Sequence, residues 1–271
     1  MSPLVSIVIE LVLVVAGAIG LGVFLRRRLP ERWSAWFAGG LAFVASQTLR
    51  LPILSAFAAA LPLLGIGATA GAYLPILITV QLASSGLFEE TARYVVMRWV
   101  VKRVRDWKTG VMFGAGHGGV EAILVIGLAS VNVIALLAFG DTLLAQTQAA
   151  APAQVPALQA QIEAVRGMQW WAPVLGVYER VGAIMLHISL SLLVMKAVRG
   201  DNGRRAWLWW LLAVVFHAGA NTVAVGVNQI AGPFAAEGVL TVIAAIAVVI
   251  IARVRQAERA TNATPVIAPA D

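Results

Sequence analysis

Long apolar segments, separated by short polar ones, dominate this chain. Seven predominantly apolar runs cover approximately residues 3–25, 33–50, 72–98, 110–139, 173–198, 206–226 and 234–252. Runs of about 20 apolar residues satisfy their backbone hydrogen bonds as helices in lipid. The pattern therefore predicts an all-α polytopic membrane protein, a bundle of about seven transmembrane helices with a polar site near the middle of the membrane.

The composition agrees with this class. Of the 271 residues, 60% are hydrophobic and only 12% are charged, whereas soluble domains carry about 25% charged residues. These fractions exclude an ordinary water-soluble globule, and the aliphatic content excludes a disordered chain. There is no cysteine, which excludes disulfides, thiolate catalysis and Cys-ligated metals.

The positions of the charges predict the orientation. Sixteen basic residues lie in four clusters, at 26–32, 98–108, 196–205 and 253–259, and all four share one side if the N-terminus is outside. The other side receives only Arg50 and Arg166. By the positive-inside rule, we expect an integral protein of a bacterial-type plasma membrane with its C-terminus in the cytoplasm. The net charge of +7 is then a topology signal, and we expect the lipid bilayer, not nucleic acid, as its partner.

Three regions lie outside this simple pattern. The segment 53–66 is apolar but short, and it is predicted to be re-entrant, interfacial or an extension of its neighbours. The outer loop 140–172 contains an amphipathic stretch at 157–168. We interpret 1–259 as a single membrane domain, with its motif-bearing core at about 72–226, and 260–271 as a disordered tail.

Several predicted spans contain ionisable or amide side chains, which are costly in lipid and by default mark function. They are Glu89, Glu90 and Arg93 in the third span, His117 and Glu121 in the fourth, Glu179, Arg180 and His187 in the fifth, and His217 and Asn221 in the sixth. A rise of about 1.5 Å per residue places polar groups of four helices at one level. Single pairs such as Glu90 with Arg93 are also explained by helix–helix ion pairing, but agreement in depth indicates a site.

These residue types suit the activation of water. A glutamate beside a histidine can act as a general base, and a histidine with an asparagine can stabilise an oxyanion. The alternative is a Zn²⁺ site with an open position for water, for which His117, Glu121, His187 and His217 are candidates. The motifs HExxH, GxGD and Gly-x-Ser-Gly are absent, which disfavours the usual zinc, aspartyl and serine types of intramembrane protease.

At these residues the chain resembles a known group. Glu-Glu-x-x-Arg in one span, His in the next and His-x-x-x-Asn in a later one resemble the CAAX-protease and bacteriocin-processing superfamily. The His-Gly-Gly-x-Glu and Glu-Arg…His elements look most like the YhfC-type intramembrane metalloproteases, and the resemblance covers roughly residues 84–222. It implies that Glu89 activates water with His117, and that His217 and Asn221 form the oxyanion site.

The same resemblance gives the remaining residues supporting roles. Glu90 and Arg93 would be supporting groups, and Glu121 and His187 are additions compatible with metal binding. One departure concerns the arginine, because CAAX enzymes usually have Glu-Glu-x-x-x-Arg and here only two residues intervene. Arg93 is therefore i,i+4 from Glu89 and i,i+3 from Glu90, which leaves open which glutamate is the base.

The favoured hypothesis is an intramembrane endopeptidase, either of the glutamate type or metal-assisted. Its substrate would be a prenylated or lipid-modified peptide, a transmembrane protein or a bacteriocin precursor. The rival hypothesis is a transporter coupled to protons or metal ions, with the same buried groups as a relay. No internal repeat of the kind common in transporters is visible in the sequence.

Overall fold

The apolar runs fold as long helices, because a helix satisfies its backbone polar groups internally. The computed structural model describes residues 2–29, 31–67 and 69–263. Its α-helices are α1 (Pro3–Arg28), α2 (Trp33–Ala60), α3 (Tyr73–Val95), α4 (Trp107–Ala150), α5 (Val155–Arg166), α6 (Ala172–Arg199), α7 (Trp207–Ala231) and α8 (Pro233–Ala263). No strand occurs in these described ranges, and the prediction of an all-α polytopic protein is confirmed.

Six of the helices are long and apolar enough to cross a membrane, namely α1, α2, α4, α6, α7 and α8. α3 has 23 residues. At a rise of about 1.5 Å per residue it is about 34 Å long, which also matches a hydrocarbon core of about 30 Å. Three charged residues near its end, Glu89, Glu90 and Arg93, lower its mean hydropathy. Together with α3, the six helices correspond to the seven predicted spans.

The structure resolves two ambiguous boundaries. The segment 53–66 is no separate span, since α2 continues through Pro52 to Ala60 and a 3-10 turn follows at Leu61–Leu64. Extension of a neighbouring helix is therefore the correct alternative. The boundary of the tail predicted after Arg259 is four residues early, because α8 extends beyond its apolar run to Ala263. The rest of the predicted tail, 264–271, lies outside the described residues.

Helix ends that carry the basic clusters meet at one end of the bundle, which we call the basic face. Arg199 at the end of α6 donates to the backbone oxygen of Arg105 (3.3 Å) and to Glu258 Oε2 (3.2 Å). The Glu258 carboxylate also accepts the backbone N–H of Trp107, the first residue of α4, at 3.1 and 2.9 Å. Glu258 thereby accepts an N–H group that has no partner within α4, and it places a negative charge at the N-terminus of this helix. The opposite end, where α3, α6 and α8 begin, is called the distal face below.

Five helices form a closed ring around the interior. Contacts run from α2 to α3, from α3 to α7, from α7 to α6, from α6 to α4 and from α4 back to α2. α1 packs outside the ring against α4 and α6, and α8 packs against α6 and α7. Polar side chains that face inward from the ring are therefore shielded from lipid.

Within this ring, α2 and α4 touch backbone to backbone. A Cβ added to Gly39 would overlap the backbone oxygen of Phe113, and one added to Gly116 would overlap that of Trp36. Small residues permit such close approach between membrane helices. The contact fixes the position of His117, which follows Gly116 directly in α4.

α4 extends beyond its predicted span towards the distal face. Its 44 residues correspond to about 66 Å, roughly twice the hydrocarbon thickness. α5 (Val155–Arg166) folds back on this extension and buries Ile162 and Val165 against Leu136. The predicted amphipathic helix at 157–168 is thus present, shifted by two residues, as half of a small hairpin.

The close contact of α2 with α4 generates a stability prediction. We expect Gly116→Ala to lower the free energy of unfolding by about 1–3 kcal/mol, because the added methyl group overpacks against rigid backbone. Thermal unfolding in detergent measures the effect. Gly20→Ala in α1 is the matched control, since a Cβ there has no neighbour within 4 Å. Equal melting temperatures for the two variants would contradict the described contact.

Candidate active site

The ring of helices surrounds a layer of polar side chains near mid-membrane. The ring centroids of His117 (α4) and His187 (α6) are 5.1 Å apart, and those of His187 and His217 (α7) are 5.3 Å apart. Glu89 of α3 joins this layer through its Oε2, which lies 3.1 Å from His117 Nε2. None of the four residues is more than 4% exposed. The structure thus brings together polar groups that the rise per helical residue predicts to lie at the same depth.

The two neighbouring glutamates of α3 face different helices, because successive helical residues are rotated by about 100°. Glu89 faces α2 and α4: its Oε1 accepts a hydrogen bond from Gln47 Nε2 at 3.1 Å, and its Oε2 contacts His117. Glu90 faces α7, with its Oε1 2.8 Å from His217 Nδ1. The two carboxylates therefore have different nearest partners, His117 and Gln47 for Glu89 and His217 for Glu90.

Arg93 forms its ion pair with Glu90. Its Nη1 donates to both carboxylate oxygens of Glu90, at 2.9 and 3.0 Å, whereas the Arg93 Nη2–Glu89 Oε2 distance is 3.8 Å. Both Arg93 and Glu90 are fully buried. The shortened motif thus pairs the arginine with the second glutamate and leaves the first free for other contacts.

Arg93 also contacts two histidines from the side opposite to their carboxylate partners. Its Nε donates to His117 Nδ1 at 3.2 Å, and its Nη2 lies 2.5 Å from His187 Nδ1. A guanidinium only donates hydrogen bonds, so both Nδ1 atoms are acceptors and the neutral rings carry their protons on Nε2. The Nε2 atoms face Glu89 Oε2 at 3.1 Å and Glu121 Oε2 at 2.5 Å.

His217 and Asn221 share one face of α7, as their i,i+4 spacing predicts. His217 is oriented by Glu90, and its other ring nitrogen, Nε2, lies 4.0 Å from Glu89 Oε2. Asn221 donates from Nδ2 to Ser85 Oγ at 2.9 Å, and Ser85 in turn donates to the backbone oxygen of Leu82. These contacts hold the two α7 side chains next to Glu89.

The remaining predicted pair, Glu179 and Arg180, adjoins the layer on its distal side. Arg180 Nη2 contacts Glu179 Oε1, and its Nη1 lies 3.5 Å from Glu121 Oε1. Arg180 thereby links the pair to the histidine layer through Glu121. Contacts thus link nine of the ten predicted site residues, and the tenth, Asn221, lines the same cavity as Glu89 and His217.

Sequence reasoning missed the contribution of α2. Gln47 donates to Glu89 Oε1, and Arg50 donates from Nη1 to Gln47 Oε1 at 3.0 Å. Arg50 is itself held by Ser84 Oγ at 3.0 Å and by the backbone oxygen of Gln81. The sequence does contain a signal for this contribution, since Gln47 and Arg50 are polar residues spaced i,i+3 within a predicted membrane span.

Four of these residues have the composition of a metal site. Ligand atoms of Glu89, His117, Glu121 and His187 all lie within 4.8 Å of one another. This set differs from the predicted one, because it includes Glu89, while His217 is turned towards Glu90. Nitrogen and carboxylate donors of this kind suit Zn²⁺.

Hydrogen bonding provides two further tests of the fit. One observation favours a metal at this position. Glu121 Oε2 is buried without a hydrogen bond of acceptable geometry, although His187 Nε2 is only 2.5 Å away. A second observation disfavours a metal. Metal-bound histidines normally donate their other N–H to an acceptor, whereas Nδ1 of His117 and of His187 faces the donor Arg93. The donor types and spacing fit a metal, whereas the tautomers that the Arg93 contacts imply direct the Nε2 protons of His117 and His187 towards Glu89 and Glu121.

A cavity of about 280 Å³ reaches this layer. Its wall includes polar side chains from three helices of the ring, namely Ser85 and Glu89 of α3, His217 and Asn221 of α7, and Gln47 and Arg50 of α2. It also includes apolar residues such as Leu186 and Val125. A small polar cavity of this kind has room for water and a peptide bond beside the Glu89 carboxylate.

Two comparisons with known proteins found similar sequences. The family model described as YhfC intramembrane metalloprotease matches residues 11–257. The uncharacterized membrane protein YhfC of Bacillus subtilis (strain 168) is 39% identical over 153 residues, which cover 52% of this chain and 53% of the relative. The matched segment thus spans about half of that relative's length. No solved structure matches the chain.

The buried ion pair makes a second stability prediction. We expect Arg93→Met to lower the free energy of unfolding by about 3–5 kcal/mol, because the buried Glu90 carboxylate loses its guanidinium partner and keeps only the contact with His217. The double variant Glu90→Gln/Arg93→Met should recover part of this loss, since it removes the orphaned charge. Thermal unfolding in detergent tests both, with the exposed loop change Arg205→Met as control. No recovery in the double variant would count against the described pairing.

Proposed function

The chain belongs to the YhfC intramembrane metalloprotease family, and from this premise we propose that it is an intramembrane endopeptidase in which Glu89 and His117 activate water. The observation that carries this proposal is the contact of Glu89 Oε2 with His117 Nε2 at 3.1 Å. Glu89 lines the cavity, and His117 lies directly behind it, fully buried. Both groups are rigidly held, Glu89 by Gln47 and His117 by Arg93. Such prior orientation is what a general base requires.

In the proposed reaction, Glu89 removes a proton from a water molecule while the water oxygen attacks the carbonyl carbon of the substrate peptide bond. The carbonyl oxygen becomes an oxyanion in a tetrahedral intermediate. When the intermediate collapses, the C–N bond breaks and Glu89 returns the proton to the leaving amine. The products are a new carboxylate and a new N-terminus, so the atoms balance without another reactant.

His217 and Asn221 are the proposed oxyanion donors. Glu90 accepts the Nδ1 proton of His217, an orientation comparable to that of the histidine in a Ser-His-Asp triad. As an imidazolium, with both ring nitrogens protonated, His217 would also donate from Nε2, which lies 4.0 Å from Glu89 Oε2. Asn221 has a second N–H on the amide that bonds Ser85, and it lines the same wall. Donors placed in advance around a developing charge give large electrostatic stabilisation.

Arg93 and Glu90 act on the reaction through other residues. Arg93 neutralises Glu90 and directs the Nε2 proton of His117 towards Glu89. It also lies 3.8 Å from Glu89 Oε2, where its positive charge stabilises the carboxylate. Both are therefore positioning residues in this proposal.

A metal-assisted form of the same reaction is the second candidate, because four ligand atoms lie within 4.8 Å of one another. Glu89, His117, Glu121 and His187 would hold the ion, with Zn²⁺ the best match to these donors. When bound, Zn²⁺ would polarise the carbonyl and acidify water. We favour the metal-free form, since the Arg93 hydrogen bonds place protons on the Nε2 atoms that a metal would need.

The rival transport hypothesis uses the same buried groups. The description of the family favours hydrolysis, and a cavity that ends at a tightly held carboxylate suits a reaction site. Purified protein reconstituted in liposomes separates the two: hydrolysis leaves proton and zinc gradients intact, whereas a transporter dissipates them.

We expect Glu89→Gln to reduce peptide cleavage by about 10²–10⁴-fold, the usual contribution of a general base. Mapping peptide N-termini in membranes with wild type or variant at equal abundance measures this and identifies the substrate. Glu163→Gln on the exposed part of α5 is the matched control and should cleave normally. The proposal is refuted if folded Glu89→Gln and His117→Ala both produce the wild-type set of N-termini.

Zinc content after purification distinguishes the two forms of the mechanism. In the metal-free form, wild type contains far less than one zinc per chain, and chelators leave cleavage unchanged. Stoichiometric zinc that disappears in His187→Ala, together with inhibition by chelators, would replace the metal-free form with the metal-assisted one. His187→Asn, which keeps a polar group of similar size, controls for loss of packing.

A further inference from the structure

We propose that the reaction cavity opens on the distal face, and that the substrate is therefore a peptide segment presented from the side of the membrane opposite to the basic loops. The cleavage of a peptide rests on the function proposed above. The direction of the opening does not, because it follows from which residues line the cavity and which ones close it.

The cavity extends from the histidine layer in one direction only. Six ring and flanking helices contribute wall residues beyond the layer, namely Arg50, Gln81, Val125, Glu179, Val225 and Leu240. In every case the residue lies further towards the distal face than the residue of the same helix nearest to the layer. For example, α4 runs away from the basic face, and Val125 follows Glu121 by one turn.

A second cavity continues the route. Its volume is about 420 Å³, and it shares the wall residues Glu179, Ala224, Val225 and Leu240 with the first. It extends to Trp171 and Pro233, at the beginnings of α6 and α8. Because these two helices begin at the distal face, the two cavities together connect that face with Glu89.

The opposite direction is closed by packing. On the basic side of the layer, Met97, Phe113 and Leu190 are all 0% exposed. The helices also touch through glycines: a Cβ on Gly114 would lie 2.5 Å from Ile188 Cα, and one on Gly110 would lie 2.7 Å from Leu192. Interiors packed at this density leave no space for a chain to enter.

The chemistry of the route suits a polypeptide. Its wall carries Gln81, Asn228 and Glu237, and Glu237 Oε2 is buried without a hydrogen-bond partner. An extended peptide within the membrane must find partners for its own N–H and C=O groups. By contrast, the groove of about 680 Å³ between α6, α7 and α8 has walls of aliphatic and aromatic residues only, as expected for contact with lipid chains.

The expected orientation of the protein in the membrane, combined with the distal opening of the cavity, indicates the class of substrate. If the basic loops face the cytoplasm, the distal face is extracytoplasmic. Substrates would then be exported or membrane-anchored polypeptides with the scissile bond in the outer half of the membrane. Peptides modified by lipid on the cytoplasmic side would lie on the wrong side of the packed layer.

The direction of the opening is testable without any activity, because the chain has no cysteine and single-Cys variants need no further changes. The test variant is Val225→Cys, at the wall shared by both cavities. Gln161→Cys on α5 marks the distal side and Arg204→Cys the basic side. The probe is a membrane-impermeant methanethiosulfonate with a quaternary ammonium group, applied to intact spheroplasts and to inverted vesicles.

We expect Val225→Cys to react in the same preparation as Gln161→Cys and to be protected in the one where Arg204→Cys reacts. Leu128→Cys, on the exposed apolar surface, should react about tenfold more slowly or less, because a thiol in lipid forms little thiolate. Reaction of Val225→Cys from the side of Arg204→Cys, or at the slow rate of Leu128→Cys from both sides, overturns the proposed opening.

The map of N-termini tests the substrate class separately. Cleavage sites that depend on Glu89 should lie in segments on the side where Gln161→Cys is labelled, and sites on the other side overturn the proposal. Distal labelling of Val225→Cys without any Glu89-dependent cleavage would leave the opening intact and reject the proposed protease function. The two failures are therefore distinguishable.

Discussion

Compensation of buried carboxylates by one guanidinium is the interaction on which the polar layer depends. An isolated charge in an apolar interior costs several kcal/mol even after relaxation, and Glu89 and Glu90 are adjacent and almost fully buried. Arg93 forms a direct ion pair with Glu90 and lies 3.8 Å from Glu89 Oε2, and its donors also reach His117 and His187. Because the guanidinium fork is planar and rigid, these contacts fix the rotation of α3 relative to α4 and α6. The contact of Glu90 with His217 fixes the rotation of α3 relative to α7 in the same way.

Much of this arrangement follows from sequence by simple physics. Apolar length predicts the helices, and the rise per residue places Glu89, His117 and His217 at one depth. The choice of partners does not follow, because it depends on how each helix is rotated about its axis within the ring. That rotation pairs Arg93 with Glu90 and directs Nδ1 of His217 to Glu90, so that His217 is not one of the four metal-type ligands.

Other features depended on contacts that no single-helix pattern contains. The sequence shows Gln47 only as a polar residue near Arg50 in an apolar span, and the packing of α2 against α3 gives it a partner in Glu89. The course of 53–66 was ambiguous because this apolar segment is short and contains Pro62 and Gly65. It also follows Pro52, and proline normally disrupts a helix interior. In membranes such residues are tolerated within helices when neighbouring groups satisfy the freed backbone, and here α2 continues to Ala60.

The length of α4 has a mechanical consequence. A single helix carries both His117 and, about 33 residues later at 1.5 Å per residue, the end that supports the α5 hairpin. It is clamped at one end, by the glycine contacts with α2 and by Glu258 at Trp107. A rod held in this way is a cantilever, whose deflection is largest at the free tip and vanishes towards the clamp. Bending of the hairpin by solvent or by neighbouring molecules is therefore absorbed along the outer turns, and the imidazole of His117, beside the clamp, keeps its place.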